Sequence, residues 1–132
     1  MTTENVHLPP FELVRALTDW SSQPSEFIFR HLVENSLHLR ELYQHAKNIV
    51  VWLEMHEYED AAAVIGEAAR SWKDAWLEFS DQCERSAPEA PEDPRCREAL
   101  DSLMHSTECF TAQLEDAGNE LPESVWRGFD DD

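Results

Sequence analysis

Five residues on one stretch of the chain, His31, Glu34, His38, Glu41 and His45, alternate imidazole and carboxylate at steps of three and four. On a helix such steps gather side chains on one side, where His and Glu can share a divalent ion, as inward-facing Glu and His do in the metal centres of four-helix bundles. His105 and Glu108 offer further ligands later in the chain. The Glu-x-x-His pair of di-iron bundles is missing, because Glu34 to His38 and Glu41 to His45 are both Glu-x-x-x-His. A polar stripe beside an apolar seam, half solvated and hydrogen-bonded to its neighbours, is the more ordinary reading of the pattern. Metal binding through the His/Glu stripe stands as the alternative, and no other residue set implies a cofactor.

The second chemical feature is acid. Twenty-eight Asp and Glu face ten Lys and Arg, a formal charge of −18. Residues 58–132 hold −14 of it, with twenty acids against six bases. Asp60, Glu67, Asp74 and Asp81 recur every seven residues, joined by Glu78, and Asp101, Glu108 and Glu115 repeat the rhythm. Seven-residue steps place each set along one side of a helix, about 10.5 Å apart. Parallel rows of this kind would present a negative surface able to pair with Lys and Arg of a basic partner, or to imitate a nucleic-acid backbone in a basic groove. The solvated face of any bundle also carries charges at heptad spacing, which accounts for the rhythm but not for the sign. Acids one turn from Arg30, Arg70, Arg85 and Arg97 neutralise part of the positive charge locally, as in Glu26–Arg30–Glu34, Arg70–Asp74, Asp81–Arg85 and Arg97–Asp101.

Catalytic patterns are scarce. There is no Gly-rich phosphate loop, no Gly-x-Ser-x-Gly elbow and no His-Glu-x-x-His. The expectation is a protein that is not an enzyme. The charge disfavours nucleic acid and anionic membrane as direct partners, since phosphates would be repelled. No apolar run approaches the 18 or so residues needed to span a bilayer. The start Met-Thr-Thr-Glu-Asn lacks the basic and apolar regions of a signal peptide, and Cys83, Cys96 and Cys109 are an odd count without CxxC spacing. These features predict a cytoplasmic protein with reduced thiols, although Cys83 and Cys96 flank a turn that can bring them together.

The elements that must position these groups read as helices throughout. Strand-like alternation is absent, and Gly and Pro fall mostly outside long stretches. Pro9 and Pro10 open a short first helix to about Trp20, with Phe11, Val14 and Leu17 on one face. Ser25 to His56 contains neither Gly nor Pro. Its seam of Ile28, Leu32, Asn35, Leu39, Leu42, Ala46, Ile49 and Leu53 predicts one helix of about 48 Å. A third helix, Glu59 to Glu84, carries Ala61, Ile65, Ala68, Trp72, Ala75 and Phe79, widened by Trp76 and Cys83. After a Pro-rich turn, Asp93 caps and Pro94 opens a fourth with Cys96, Leu100, Leu103, Thr107, Phe110, Leu114 and Ala117, and Gly118 reads as its stop.

The fold class expected is therefore all-α, an antiparallel bundle of three long helices plus a short N-terminal helix over residues 1–118. Residues 119–132 form an acidic tail that either folds back through Trp126 and Phe129 or stays free as an interaction segment. Trp52 and Trp126 lie off the seams and suit interface anchors. The functional expectation is a non-catalytic acidic protein-binding module of the inhibitor, immunity-protein or nucleic-acid-mimic kind. It would occupy a basic surface on a partner protein, a nucleic-acid-binding protein included, through the two acid rows with Trp126 and Phe129. Self-association as a structural homo-oligomer is a further alternative, since a seam containing Asn35 can specify helix pairing.

Overall fold

A computed structural model describes residues 8–87, 89–127 and 129. The fold is all-α, with no strand among these residues. Five α-helices follow one another: α1 (Pro10–Ser21), α2 (Ser25–Arg30), α3 (Leu32–Met55), α4 (Glu59–Ser86) and α5 (Pro94–Glu120). Short 3₁₀ turns occupy Ala90–Glu92 and Glu123–Trp126. No helix here is long and apolar enough to cross a membrane.

The long second helix expected from the sequence is broken at His31, whose φ of −123° and ψ of 52° leave the helical region. Asn35 explains how the break is tolerated. Its side-chain nitrogen donates to the carbonyls of His31 at 2.7 Å and Ile28 at 3.5 Å, and its oxygen accepts from Trp20 Nε1 at 2.7 Å. These side-chain bonds reinforce the backbone bonds that remain at the break, Asn35 N to His31 O at 2.9 Å and His31 N to Ile28 O at 3.3 Å. The single polar residue in the seam is thus the fastening of a corner between α1, α2 and α3.

α3 ends on a left-handed residue, Glu57, with φ of 69°. The amide of Tyr58 reaches back to Leu53 O at 2.8 Å and that of Glu57 to Glu54 O at 3.1 Å, the Schellman pattern that closes a helix C-terminus. α4 begins with Glu59 and Asp60, whose charges suit the positive end of the helix dipole, and ends at Ala87, which precedes Pro88 and is extended. α5 opens as expected, with Pro94 in its first turn and the Asp93 carboxylate accepting from Arg95 N at 2.9 Å. Asp93 also accepts from the Ser86 hydroxyl, joining the end of α4 to the start of α5. That bond, then the Arg95 amide, holds the Asp93 carboxyl below its ordinary value of 3.8.

Gly118 does not stop α5, which continues to Glu120 before Leu121 and Pro122. Its missing side chain serves packing instead. A Cβ there would come within 2.9 Å of the Phe11 ring of α1.

α4 packs on α3 along one flank and on α5 along the other, while α1 lies against α5 and touches α3. The chain directions follow from the contacts. Ser36 meets Ser80 at 3.4 Å near the start of α3, and Val50 faces Gly66 near its end, so α3 and α4 run oppositely. Trp72 Nε1 donates to Thr107 Oγ1 at 2.9 Å and Cys96 Sγ approaches Gln82 O at 3.5 Å, so α4 and α5 do too.

The α5 stripe is buried at every expected position, and the α3 seam from Asn35 to Leu53 is as well. Elsewhere the stripes turn by about one residue. α1 buries Pro10, Leu13, Leu17 and Trp20, leaving Val14 half-buried and Phe11 half-exposed. α4 buries Ala62, Ala69 and Trp76, with Ala61, Ala68 and Ala75 only partly covered. A helix gripped on two sides needs a broad stripe, and the larger side chains settle its centre.

Candidate functional site

The acids come first, because all eight of those singled out are exposed. Asp60, Glu67, Asp74 and Asp81 run along the outer side of α4, and Glu78 lies at a shallow groove between α4 and α5. That groove, of about 360 Å³, is lined by Ala75, Glu78 and Gln82 from α4 and by Arg95, Glu98, Ala99 and Ser102 from α5. It identifies the flank of α5 that faces α4.

At about 100° per residue, Asp101, Glu108 and Glu115 fall on the other flank, the side on which Gly118 meets Phe11 of α1. The two rows therefore do not lie side by side. The acid that α5 adds to the α4 row is Glu98, which spacing from Asp101 did not pick out.

Two of the cations are drawn to a neighbouring ring. Lys47 Nζ lies 5.7 Å and Lys73 Nζ 5.1 Å from the centre of the Tyr43 ring, a cation–π arrangement at the junction of α3 and α4. Of the ion pairs expected one turn apart, Asp81–Arg85 is formed at 2.7 Å. Arg97 donates instead to Pro91 O at 2.6 Å and sits over Phe29. With Arg97 directed to a carbonyl, Asp101 keeps more of its charge unbalanced.

In the His/Glu stripe, His31 lies 3.9 Å from Glu34 and His38 3.9 Å from Glu41, with the carboxylates largely solvated and both imidazoles less than half exposed. His45 is half-buried one heptad beyond His38. Among the described residues no three His, Cys, Asp or Glu side chains are grouped to hold a metal ion. His105 lies 3.8 Å from Cys109 Sγ on the exposed side of α5.

Trp52 is engaged within the chain rather than free to anchor a partner. Its Nε1 donates to Val125 O at 2.6 Å and its ring meets Phe129 edge-on at 5.2 Å. Phe129 also touches Trp126 at 5.8 Å and is only 2% exposed, so it offers almost no surface to a partner. Trp126 is half-buried. Asp130, Asp131 and Asp132, the most acidic part of the tail, lie outside the described residues.

One feature was missed by reading for chemistry alone. Among the described residues the four most exposed large hydrophobic side chains are Val33 (71%), Met55 (69%), Leu37 (58%) and Val51 (51%), all on α3. Beside Val33 and Leu37, a groove of about 400 Å³ runs between α3 and α4, bordered by Leu32, Ser36 and Ser80. The signal was available as a second seven-residue rhythm, Leu37, Gln44, Val51, on the face opposite the core seam.

No protein-family model, curated protein or solved structure matches the chain.

Proposed function

We infer that the chain is a non-catalytic acidic binding module that occupies a basic surface of a partner protein. The observation that carries this reading is the excess of exposed acid on α4: Asp60, Glu67, Asp74, Glu78 and Asp81 outnumber Arg70 and Arg85, which pairs with Asp81, while Lys47 and Lys73 are drawn to Tyr43 at the α3 side. A negative ridge of this kind attracts a cationic groove over a Debye length, about 10 Å at 0.1 M salt, and raises the rate of encounter. A nucleic-acid-binding protein is one partner class, because its groove is already built to take a run of negative charge. The scaffold proposed is an antiparallel bundle of the three long helices, with α1 as its short fourth member, acting in the cytoplasm.

The test is an untagged pull-down from the native host with identification by mass spectrometry, repeated with Glu67→Lys, Asp74→Lys and Asp81→Lys combined. Partners are expected to be basic, to be displaced by polyanionic duplex DNA, and to be lost from the triple variant and at raised salt. Capture that is indifferent to salt and to the reversal overturns the electrostatic reading.

A further inference from the structure

The outer face of α3 is organised as a second seam. Leu37, Gln44 and Val51 form its central row at seven-residue steps, about 10.5 Å apart along the helix. Val33, Arg40 and Lys47 lie on the flank toward α4, the side on which Ser36 meets Ser80 and Lys73 of α4 joins Lys47 at Tyr43. Glu34, Glu41 and Met55 lie on the other flank. The face is apolar at both ends, polar in the middle, basic on one side and acidic on the other.

It is also the part of the molecule where like charge matters least. Residues 26–57 carry only −2 of the total −18. Four large apolar side chains, each more than half exposed, share this one face. Scattered single hydrophobics are ordinary on a surface, but here they fall as two pairs, Val33 with Leu37 and Val51 with Met55, at either end of a polar middle that carries both signs of charge.

We propose that this face binds a second copy of the chain, α3 against α3, with the two helices parallel about a two-fold axis. The flanks decide the occupant and its direction. A two-fold axis along the helices sets opposite flanks together at equal height, so Arg40 meets Glu41 of the second copy, one residue away along the axis, and the reciprocal pair forms by symmetry. An antiparallel pairing sets like flanks together and brings Arg40 against Lys47 of the second copy. In the parallel arrangement Leu37 meets Leu37 and Val51 meets Val51 across the axis, and the two Gln44 amides pair between them. One polar residue within a helical seam fixes register, because a shifted alignment leaves its amide facing hydrocarbon. The acid row of α4 stays outside this contact, so the dimer presents two negative ridges.

Sedimentation equilibrium of the full chain from about 1 μM to 1 mM, the span of firm to weak association, tests the proposal. The expected mass rises with concentration to twice the 15.3 kDa of one chain. Leu37→Glu with Val51→Glu keeps the helical circular dichroism and removes the dimer, since both side chains are exposed in the monomer. Arg40→Glu alone and Glu41→Arg alone each weaken association about tenfold, and the two together restore it. In a Cys109→Ser background, Leu37→Cys crosslinks to itself across the axis. A monomer at every concentration, or a dimer untouched by the Leu37/Val51 pair, overturns the proposal. Tighter association on Arg40→Glu overturns the parallel arrangement, because relief of Arg40 against Lys47 is the antiparallel signature. Binding of a basic partner by the Leu37/Val51 variant separates this face from the α4 ridge.

Discussion

Asn35 is the residue on which the corner of the fold turns. It is 8% exposed and holds Trp20, His31 and Ile28 by three hydrogen bonds, so its removal strands the buried indole N–H of Trp20, while the two carbonyls keep backbone donors. Asn35→Leu is expected to destabilise the fold by about 1–3 kcal/mol despite adding apolar bulk to the seam, as read from urea denaturation. A neutral or stabilising result would show that the break at His31 does not depend on this amide. The cysteines divide just as sharply. Cys83 and Cys96 are buried, and burial together with the neighbouring Cys96 thiol pushes Cys83 up to about 12. Cys109 is exposed. An aromatic disulfide reagent at pH 8 is expected to react with the exposed Cys109 quickly and with the other two thiols only on unfolding, because the packed core closes Cys83 and Cys96 to the reagent.

At the scale of elements, α3 ends at a cost that one substitution can remove. Glu57 adopts a left-handed conformation that a side chain disfavours, and its carboxylate sits at the negative end of the α3 dipole. Glu57→Gly keeps the Schellman bonds from Tyr58 and relieves both penalties. It is expected to stabilise by about 1 kcal/mol, a rise of roughly 3 °C in Tm by thermal circular dichroism. The elements also show what the sequence can carry. The α5 stripe from Cys96 to Ala117 is legible because one face of a helix repeats its period without interruption. The break between α2 and α3 is not, because no Gly or Pro marks it and the apolar period runs on through His31. The acids were legible by type and spacing. Their division between two flanks was not, since it depends on which side of α5 the neighbouring helix covers. The exposed α3 face was hidden for a related reason: a second heptad looks like part of a broad core stripe until the core is known.

For the whole molecule, a net −18 on 132 residues is a source of internal repulsion as well as of attraction to others. Salt is therefore expected to raise Tm, with most of the gain complete by about 0.5 M as the Debye length falls below the spacing of neighbouring acids. The triple reversal of Glu67, Asp74 and Asp81 brings the charge to −12, each substitution adding two, and is expected to raise Tm at low salt while shrinking the salt effect. A Tm that is flat in salt for the unaltered chain would mean the acids are compensated by pairing that the separate α4 and α5 rows do not suggest.

The contact of Phe11 with Gly118 joins residues more than one hundred positions apart in the chain. It has a meaning in time as well as in space. α3, α4 and α5 meet through short connections, whereas α1 finds its principal partner only in the last helix, so closing that contact carries the largest loop entropy in the molecule. α1 is then the last piece to dock and the first to leave. Leu17→Ala, which empties a fully buried position on α1, is expected to accelerate unfolding in stopped-flow denaturant jumps and to leave the refolding rate nearly unchanged. Equal slowing of refolding would place α1 in the folding nucleus and reverse that order of events.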